Sequence, residues 1–514
     1  MFLITQGLSR AATVSPSGLA TVFRDRRRSW AESKDRVARL AGGLSSLGIS
    51  KGDRIAILAL NSDRYFEALF AIPVLGAVIV PINTRLAPPE IAYILENSGA
   101  RLLIVDDAFA GMVGRVPGLA AVSEVVHLGD GPVPAGMRPF EALLDAQPVI
   151  NSQASGDDIA GIFYTGGTTG RSKGVMLSHR NLVSNAAMVV PACGYRFDTV
   201  YIHAAPMFHL ADGMSTFAVT MVGGTHVFIP RFDPTEVLTE IARTQVTHGV
   251  LVPTMINALV NHPDIGKHDL SSLCVIAHGA SPMQDSLREK AAAVVPGVRF
   301  LHVYGMTEAS PLVTAMDLHI EPTGERIRSC GRPALLVELR IADPGDREVP
   351  RGTVGEVQVR GPNIMLGYWN QPEATGAALR GGWYHTGDGG LMDAEGYVYI
   401  VDRLKDMIIT GGENVYSAEV ENAIAAHDGV AEVAVIGIPD EHWGEIVHAV
   451  VVPRSGHVLT AEQVVKHCHD LIAGYKCPRS VEIRNTPLPL SGAGKVLKSQ
   501  LREPFWAGRN RQVS

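Results

Sequence analysis

The sequence predicts an α/β protein: a large N-terminal domain of parallel α/β sheets with a small antiparallel β subdomain, followed by a small α+β C-terminal domain. Three observations predict it. From Arg54 to His278, short apolar runs alternate with amphipathic stretches of helical period, the pattern of doubly buried strands joined by helices. After about residue 340 glycines multiply and short strands alternate in polarity, as in antiparallel sheet. From about residue 406 a compact succession of helix, two strands and helix has the size of a separate small domain.

Taken in order, "SWAESKDRVARLAGGLSSLGISKGDRIAILAL" places Val37, Leu40, Ala41, Leu44 and Leu47 at helical spacing. Gly48 suits a left-handed cap, and "RIAIL" follows as a buried strand. The longest apolar stretch, "ALFAIPVLGAVIVPI", is broken by prolines and a glycine. It falls short of the roughly 20 residues that span a bilayer and reads as a buried helix running into a buried strand. "RLLIVDD", "SEVVHLG", "THVFIP", "THGVLVP" and "SLCVIAHG" continue the parallel strands. "GEVQVRGPNIMLGYWN" and "GWYHTGDGGLMDAEGYVYIVDRLKDMII" carry the antiparallel ones. In the tail, "SAEVENAIAAHDG" is a helix opening at Ser417, and "AEVAVIGIPD" and "EIVHAVVVP" are strands. "TAEQVVKHCHDLIAGY" is a helix with a Thr460/Gln463 capping box. The basic run "RDRRRSW" reads as a solvated turn before a helix.

The 514 residues suffice for two to four domains, and 46% hydrophobic with 19% charged residues is an ordinary globular composition. A net charge of -7 argues against nucleic acid as a partner. The five cysteines, Cys193, Cys274, Cys330, Cys468 and Cys477, form no CxxC pair and predict no disulfide framework, which suits a reducing cytoplasm. The first residues show no basic-then-apolar leader layout.

The stretch "YTGGTTGRSKG", Tyr164 to Gly174, offers bare backbone N–H groups, hydroxyls and one lysine, the ingredients of a phosphate cradle. It is not a Walker A loop, because Lys173 is followed by Gly174 rather than Ser or Thr. Composition alone leaves a flexible hairpin tip equally open. "GRSKG" and "GISKG" both match the G-x-S-x-G pattern of serine hydrolases. That pattern needs a strand entering and a helix leaving. Ser50 has the reverse order and Ser172 lies in a long loop before a strand, so neither is a nucleophile elbow.

"YTGGTTGRSKG" resembles the phosphate loop of the adenylate-forming superfamily, which includes acyl-CoA synthetases, adenylation domains and firefly-type luciferases. Four further signatures appear in the family's order. "YGMTE" (Tyr304 to Glu308) resembles its adenine and magnesium motif, and "YHTGD", ending at Asp388, its ribose motif. "DRLKDMIITGGENV" resembles its hinge segment and "SGAGKVLK" its C-terminal lysine motif. The resemblance implies an ATP-dependent ligase. A carboxylate attacks the α-phosphorus of ATP, giving acyl-adenylate and pyrophosphate, and a thiol, usually coenzyme A, then displaces AMP.

Carried over residue by residue, the resemblance implies the following roles. Thr165, Gly166, Gly167, Thr168, Thr169, Gly170 and Lys173 hold the β- and γ-phosphates. Glu308 holds Mg²⁺ with help from Thr168, oxygen ligands suiting a hard cation. Thr307 donates to the α-phosphate, and Lys495 bridges the substrate carboxylate and that phosphate. Asp388 accepts from the ribose hydroxyls, with Arg403 adding a ribose or phosphate contact. Tyr304, with Gly305 and Met306, faces adenine, and Gly279, Ala280 and Ser281 line the adenine and acyl groups. The C-terminal domain, residues 406–514, moves about a hinge at 402–405, withdrawing Lys495 and bringing in Gly411 and Gly412, whose bare backbone leaves room for pantetheine. Trp443, Lys476 and Arg479 are candidates for coenzyme A contacts. His209 stands beside the acyl group or is a core histidine. Ala280, Val303, Met306, Ser310 and Pro311 line the acyl pocket. "HVYGMTEASPLV" holds no lysine or arginine, which disfavours a dicarboxylate and suits a fatty or aryl acid.

The sequence departs from the family's pattern at Gly166 (usually Ser), Ser172 (usually Pro), Ser491 (commonly Thr) and Cys477, where some relatives carry a basic residue. The last puts coenzyme A phosphate contacts there in doubt. A stand-alone enzyme loading a carrier protein and a luciferase-like oxygenase share every motif and stay open as alternatives. Oligomeric state is open too, with a homodimer one option.

Overall fold

The computed structural model describes residues 2–119, 122–150, 154–165, 172–279, 283, 285–318, 324–403, 406–410, 413–440, 442–490 and 495–507. Its chain forms two compact units: Met1–Glu338 with Val359–Tyr384, and Leu339–Gln358 with His385–Ser514.

The first unit carries two large mixed sheets. One runs in the order Arg332–Pro333, Leu312–Asp317, Arg299–Gly305, Val275–His278, His248–Val250, Val200–His203, Thr225–Phe228, Leu19–Phe23, Arg26–Ser29. It is parallel from Arg299–Gly305 to Leu19–Phe23 and antiparallel at both ends. The other runs Gly367–Tyr368, Lys173–Ser178, Ile159–Thr165, Val78–Pro81, Arg54–Leu58, Leu102–Val105, Glu124–His127, Arg138–Pro139. Two of its central strands, Val78–Pro81 and Leu102–Val105, are buried along their whole length, which is why they read as unbroken apolar runs.

Local signals place the helices. Trp30–Ser46 begins at a capping box: the Glu32 N–H donates to Ser29 Oγ, and the Ser29 N–H donates to the Glu32 carboxylate. Gly48 follows its end at φ 80°, the left-handed conformation that its lack of a Cβ allows. The long apolar stretch is the helix Asp63–Val74 followed by the strand Val78–Pro81. Among the described residues no helix is long and apolar enough to cross a membrane. The N-terminal patch, unassigned by the sequence pattern, forms the helix Thr5–Val14.

One expectation is overturned. "RDRRRSW" is not a solvated turn: Arg26–Ser29 is an edge strand whose arginines grip buried carboxylates. Arg26 donates to both oxygens of Asp63 at 2.9 Å, and Arg28 bonds Asp63 and lies 3.3 Å from Glu67. Arg36 donates to both Glu67 oxygens at 2.7 and 3.0 Å. Asp63 and Glu67 lie one turn apart on their helix and are each only 1% exposed, so as unpaired charges they would be costly. The partners lie more than thirty residues apart in sequence, out of reach of a local charge count.

The second unit holds the four-stranded sheet Glu338–Ala342, Gly355–Arg360, Tyr384–Met392, Val398–Arg403. It also holds a five-stranded sheet centred on the antiparallel pair Val430–Asp440 and Gly444–Pro453. The latter packs Ile408, Val415, Val420, Ile424, Val435 and Val447 into its own core. Thr460 and Gln463 form their capping box, but the helix ends at His469 rather than running on to Tyr475. All five cysteines are free thiols.

Candidate active site

In the first unit, strand pairing brings the ends of the glycine- and threonine-rich stretch together. Thr165 closes the strand Ile159–Thr165, Lys173 opens the strand Lys173–Ser178, and the two are antiparallel register partners. Gly166, Gly167, Thr168, Thr169 and Gly170 lie outside the described residues. The base of this hairpin is anchored by the Tyr164 hydroxyl, which donates to Asn97 Oδ1 at 2.6 Å.

Glu308 sits in the single turn Thr307–Ala309, just after the strand Arg299–Gly305. The Tyr368 hydroxyl donates to Glu308 Oε1 at 3.0 Å, and the Lys173 ammonium lies 4.8 Å from the centre of the Tyr368 ring. An oriented carboxylate is a fit donor for a hard divalent cation. Tyr304 is half-buried in the same strand, opposite Thr314. Gly305 and Gly279 pack backbone against backbone: a Cβ at Gly305 would land on the Pro311 carbonyl, and one at Gly279 on that of Val303. Met306 is half-buried, and its N–H donates to the Pro311 carbonyl. The Ser310 hydroxyl is buried and donates to the Asn363 carbonyl at 2.7 Å, so it anchors the turn. Ala280 and Ser281 lie outside the described residues. Beneath Gly279 and Tyr304, the register partners His278 and His302 stack at 5.0 Å. Burial pushes both imidazoles down, His278 to about 3.

His209 precedes the helix Leu210–Val222, half-buried, with its ring 4.5 Å from that of Phe208. Its carbonyl accepts from Asp212 and Gly213. Behind it runs a fully buried chain that the sequence did not disclose. Tyr201 donates to Asp212 Oδ1, and His203 Nδ1 lies 2.6 Å from Asp212 Oδ2. His203 Nε2 meets His226 Nδ1 at 3.0 Å, and His226 Nε2 meets Thr220 Oγ1 at 3.0 Å. One set of tautomers satisfies every link, each donor pointing towards the Asp212 carboxylate.

In the second unit, Asp388 is 4% exposed on the strand Tyr384–Met392, and its register partner is Arg403. A clasp fixes the turn that delivers it. Glu356 accepts from the Gly387 N–H at 3.1 Å, and its other oxygen lies 2.7 Å from His385 Nδ1. Thr386 Oγ1 accepts from the Asp388 N–H and donates to the Val357 carbonyl. Asp346, Glu356 and His385 converge as metal ligands would. The Gln358 amide nitrogen, oriented by Arg340, already donates to Asp346 and Glu356 and lies 3.1 Å from His385 Nδ1.

Of the coenzyme A candidates, Trp443 and Arg479 are brought together, the guanidinium 4.3 Å from the ring centre. Lys476 is paired with both oxygens of Glu419 at 2.7 and 2.9 Å. That pairing compensates its charge, which weakens it as a phosphate contact. Lys495 is exposed next to Val496, which bridges to Leu490. Lys405, Gly411 and Gly412 lie outside the described residues. Tyr368, Glu356 and His385, which contact Glu308 or the turn before Asp388, carry no signal in the sequence beyond their places in the "LGYWN", "GEVQV" and "YHTGD" runs.

The AMP-binding enzyme family matches residues 8–369, and the AMP-binding enzyme C-terminal domain matches residues 419–495. Over 498 residues the chain is 41% identical to a feruloyl-CoA synthase of Amycolatopsis sp, covering 96% of this chain and 98% of that protein. It is 37% identical over 503 residues to the long-chain-fatty-acid–CoA ligase FadD13 of Mycobacterium tuberculosis, covering 97% and 98%. The crystal structure of ATP-bound MatB from Rhodopseudomonas palustris matches with a TM-score of 0.88 at 32% identity, covering 98% of this chain and 99% of that one. Motifs, fold and end-to-end relatives converge, and the chain belongs to the AMP-binding enzyme family of adenylate-forming ligases.

Proposed function

We propose that the enzyme is an AMP-forming carboxylate–CoA ligase whose substrate is an apolar acid, either a medium- or long-chain fatty acid or an aryl acid of cinnamic type. The observation that carries this reading is the meeting of Glu308 and Lys173 on Tyr368, a carboxylate and an ammonium prepared for a polyanion. Likeness to a feruloyl-CoA synthase and to a long-chain fatty acid ligase supports the two acid classes.

In the first half-reaction a carboxylate oxygen bonds to the α-phosphorus and the α–β phosphoanhydride bond breaks, releasing pyrophosphate. Two anions must meet, so neutralising groups already in place lower the barrier. Lys173, Thr165 and the loop residues 166–170 hold the terminal phosphates. Glu308, with Thr168, would hold Mg²⁺, which when bound offsets phosphate charge. Lys495 draws the acid and the α-phosphate together, and Thr307 donates to that phosphate. Asp388 and Arg403 fix the ribose, and Tyr304 faces adenine. In the second half-reaction the coenzyme A sulfur bonds to the acyl carbon and AMP leaves. Gly411 and Gly412 leave room for pantetheine, and Trp443 with Arg479 receives the distal nucleotide. His209, Val303, Met306 and Pro311 line the acyl pocket.

The test is a pyrophosphate-release screen over fatty, cinnamic and benzoic acids, with and without coenzyme A. Thioester formation from a fatty or cinnamic acid with free coenzyme A is the expected result. Turnover only with a carrier protein would overturn the choice of thiol.

A further inference from the structure

We propose that Tyr368 is a positioning residue that presents Glu308 and Lys173 to the nucleotide while keeping their opposite charges on separate parts of one side chain. The proposal rests on the roles just given to those two residues. Tyr368 is 8% exposed and held by its backbone. It pairs with Val175 of the strand that Lys173 opens, and its N–H donates to Thr375 Oγ1 at 2.8 Å. The next residue, Trp369, donates its backbone N–H to Gly174 and its indole N–H to the Asn97 carbonyl. Asn97 is also the acceptor for Tyr164, so the ring is fixed to the base of the phosphate hairpin at both strands.

Two interactions follow from this placement. The hydroxyl donates to Glu308 Oε1 at 3.0 Å, a charge-assisted bond that fixes the rotation of the carboxylate. The ring face lies 4.8 Å from the Lys173 ammonium, within cation–π range. A π-face holds a cation in place without cancelling its charge, as a carboxylate would. Lys173 is thereby held while its charge remains for phosphate. Glu308 is oriented by a neutral donor, which fixes its carboxylate without itself neutralising it. Direct pairing of Lys173 with Glu308 would neutralise both.

The test uses the whole enzyme without acid, so that no turnover occurs. The probes are Mn²⁺, followed by its free-ion paramagnetic resonance signal, and α,β-methylene-ATP, followed by calorimetry. Tyr368→Phe keeps the ring and removes the hydroxyl. Mn²⁺ binding in the presence of the analogue should weaken about tenfold, as expected for a lost charge-assisted hydrogen bond. Metal-free analogue binding should stay within about twofold, because the cation–π face survives. Tyr368→Leu should weaken both. If Tyr368→Leu does not fold, the Phe variant alone decides. Mn²⁺ binding unchanged in Tyr368→Phe but weakened in Glu308→Gln overturns the positioning role and spares the site. Mn²⁺ binding unchanged in Glu308→Gln overturns the site reading and the proposal with it.

Discussion

Lys495 stands exposed beside Val496, which bridges to Leu490. In the proposed division of labour its ammonium serves the first half-reaction alone. Replacing it with alanine should slow acyl-adenylate formation by about 10²- to 10³-fold. Thioester formation from supplied acyl-adenylate should change by less than about threefold. Paired pyrophosphate-exchange and thioester assays measure the two steps, and equal losses would refute the division of labour. Lys495, Lys173, Glu308 and Asp388 were candidates from the sequence because each carries its own chemistry in a glycine-rich setting. Tyr368 was not, because its role comes from a carboxylate 60 positions away and a lysine on the neighbouring strand. Lys476, a coenzyme A candidate, likewise has a distant partner, Glu419, 57 positions away.

Among the elements, the edge strand Arg26–Ser29 carries the clearest energetic consequence. Burial pushes the Asp63 carboxyl up, but the hydrogen bonds and charges of Arg26 and Arg28 outweigh it and hold it below the usual carboxylate range. Glu67 stays raised by burial although Arg36 opposes it. Arg28→Ala would leave these two carboxylates short of a cation and should destabilise the fold by about 3 kcal/mol. Urea unfolding measures this, and a loss under about 1 kcal/mol, the worth of an exposed pair, would contradict it. The buried parallel strands were legible because both faces demand apolar residues. The edge strand was not, because its pattern is set by charges across space. The Glu356–His385–Thr386 clasp behind Asp388 was hidden for the same reason, since its partners are 29 and 31 positions apart.

At the scale of the whole molecule, buried histidines set an acid limit. Burial lowers His179 and His248 to about 4 and His278 to about 3, from an ordinary value near 6.5. Above about pH 6.5 these rings are neutral folded or unfolded and impose no penalty. As pH falls below that, the unfolded chain takes up protons that the fold refuses, so stability declines until the folded values are reached. The penalty for each is about 2 kcal/mol at pH 5. The carboxylates Asp63 and Glu141, held low by their arginines despite burial, lose their contribution only in more acid solution. Thermal melts should therefore show Tm falling between pH 6.5 and 4, and a flat Tm across that window would contradict the assignment. One pair of backbone contacts also bears on redesign. Where Gly279 and Gly305 touch the neighbouring backbone there is no volume for even a methyl group, so saturation libraries at these positions will return glycine alone. Variation meant to probe the proposed acyl pocket belongs instead at His209 and Met306, which are half-buried and carry side chains.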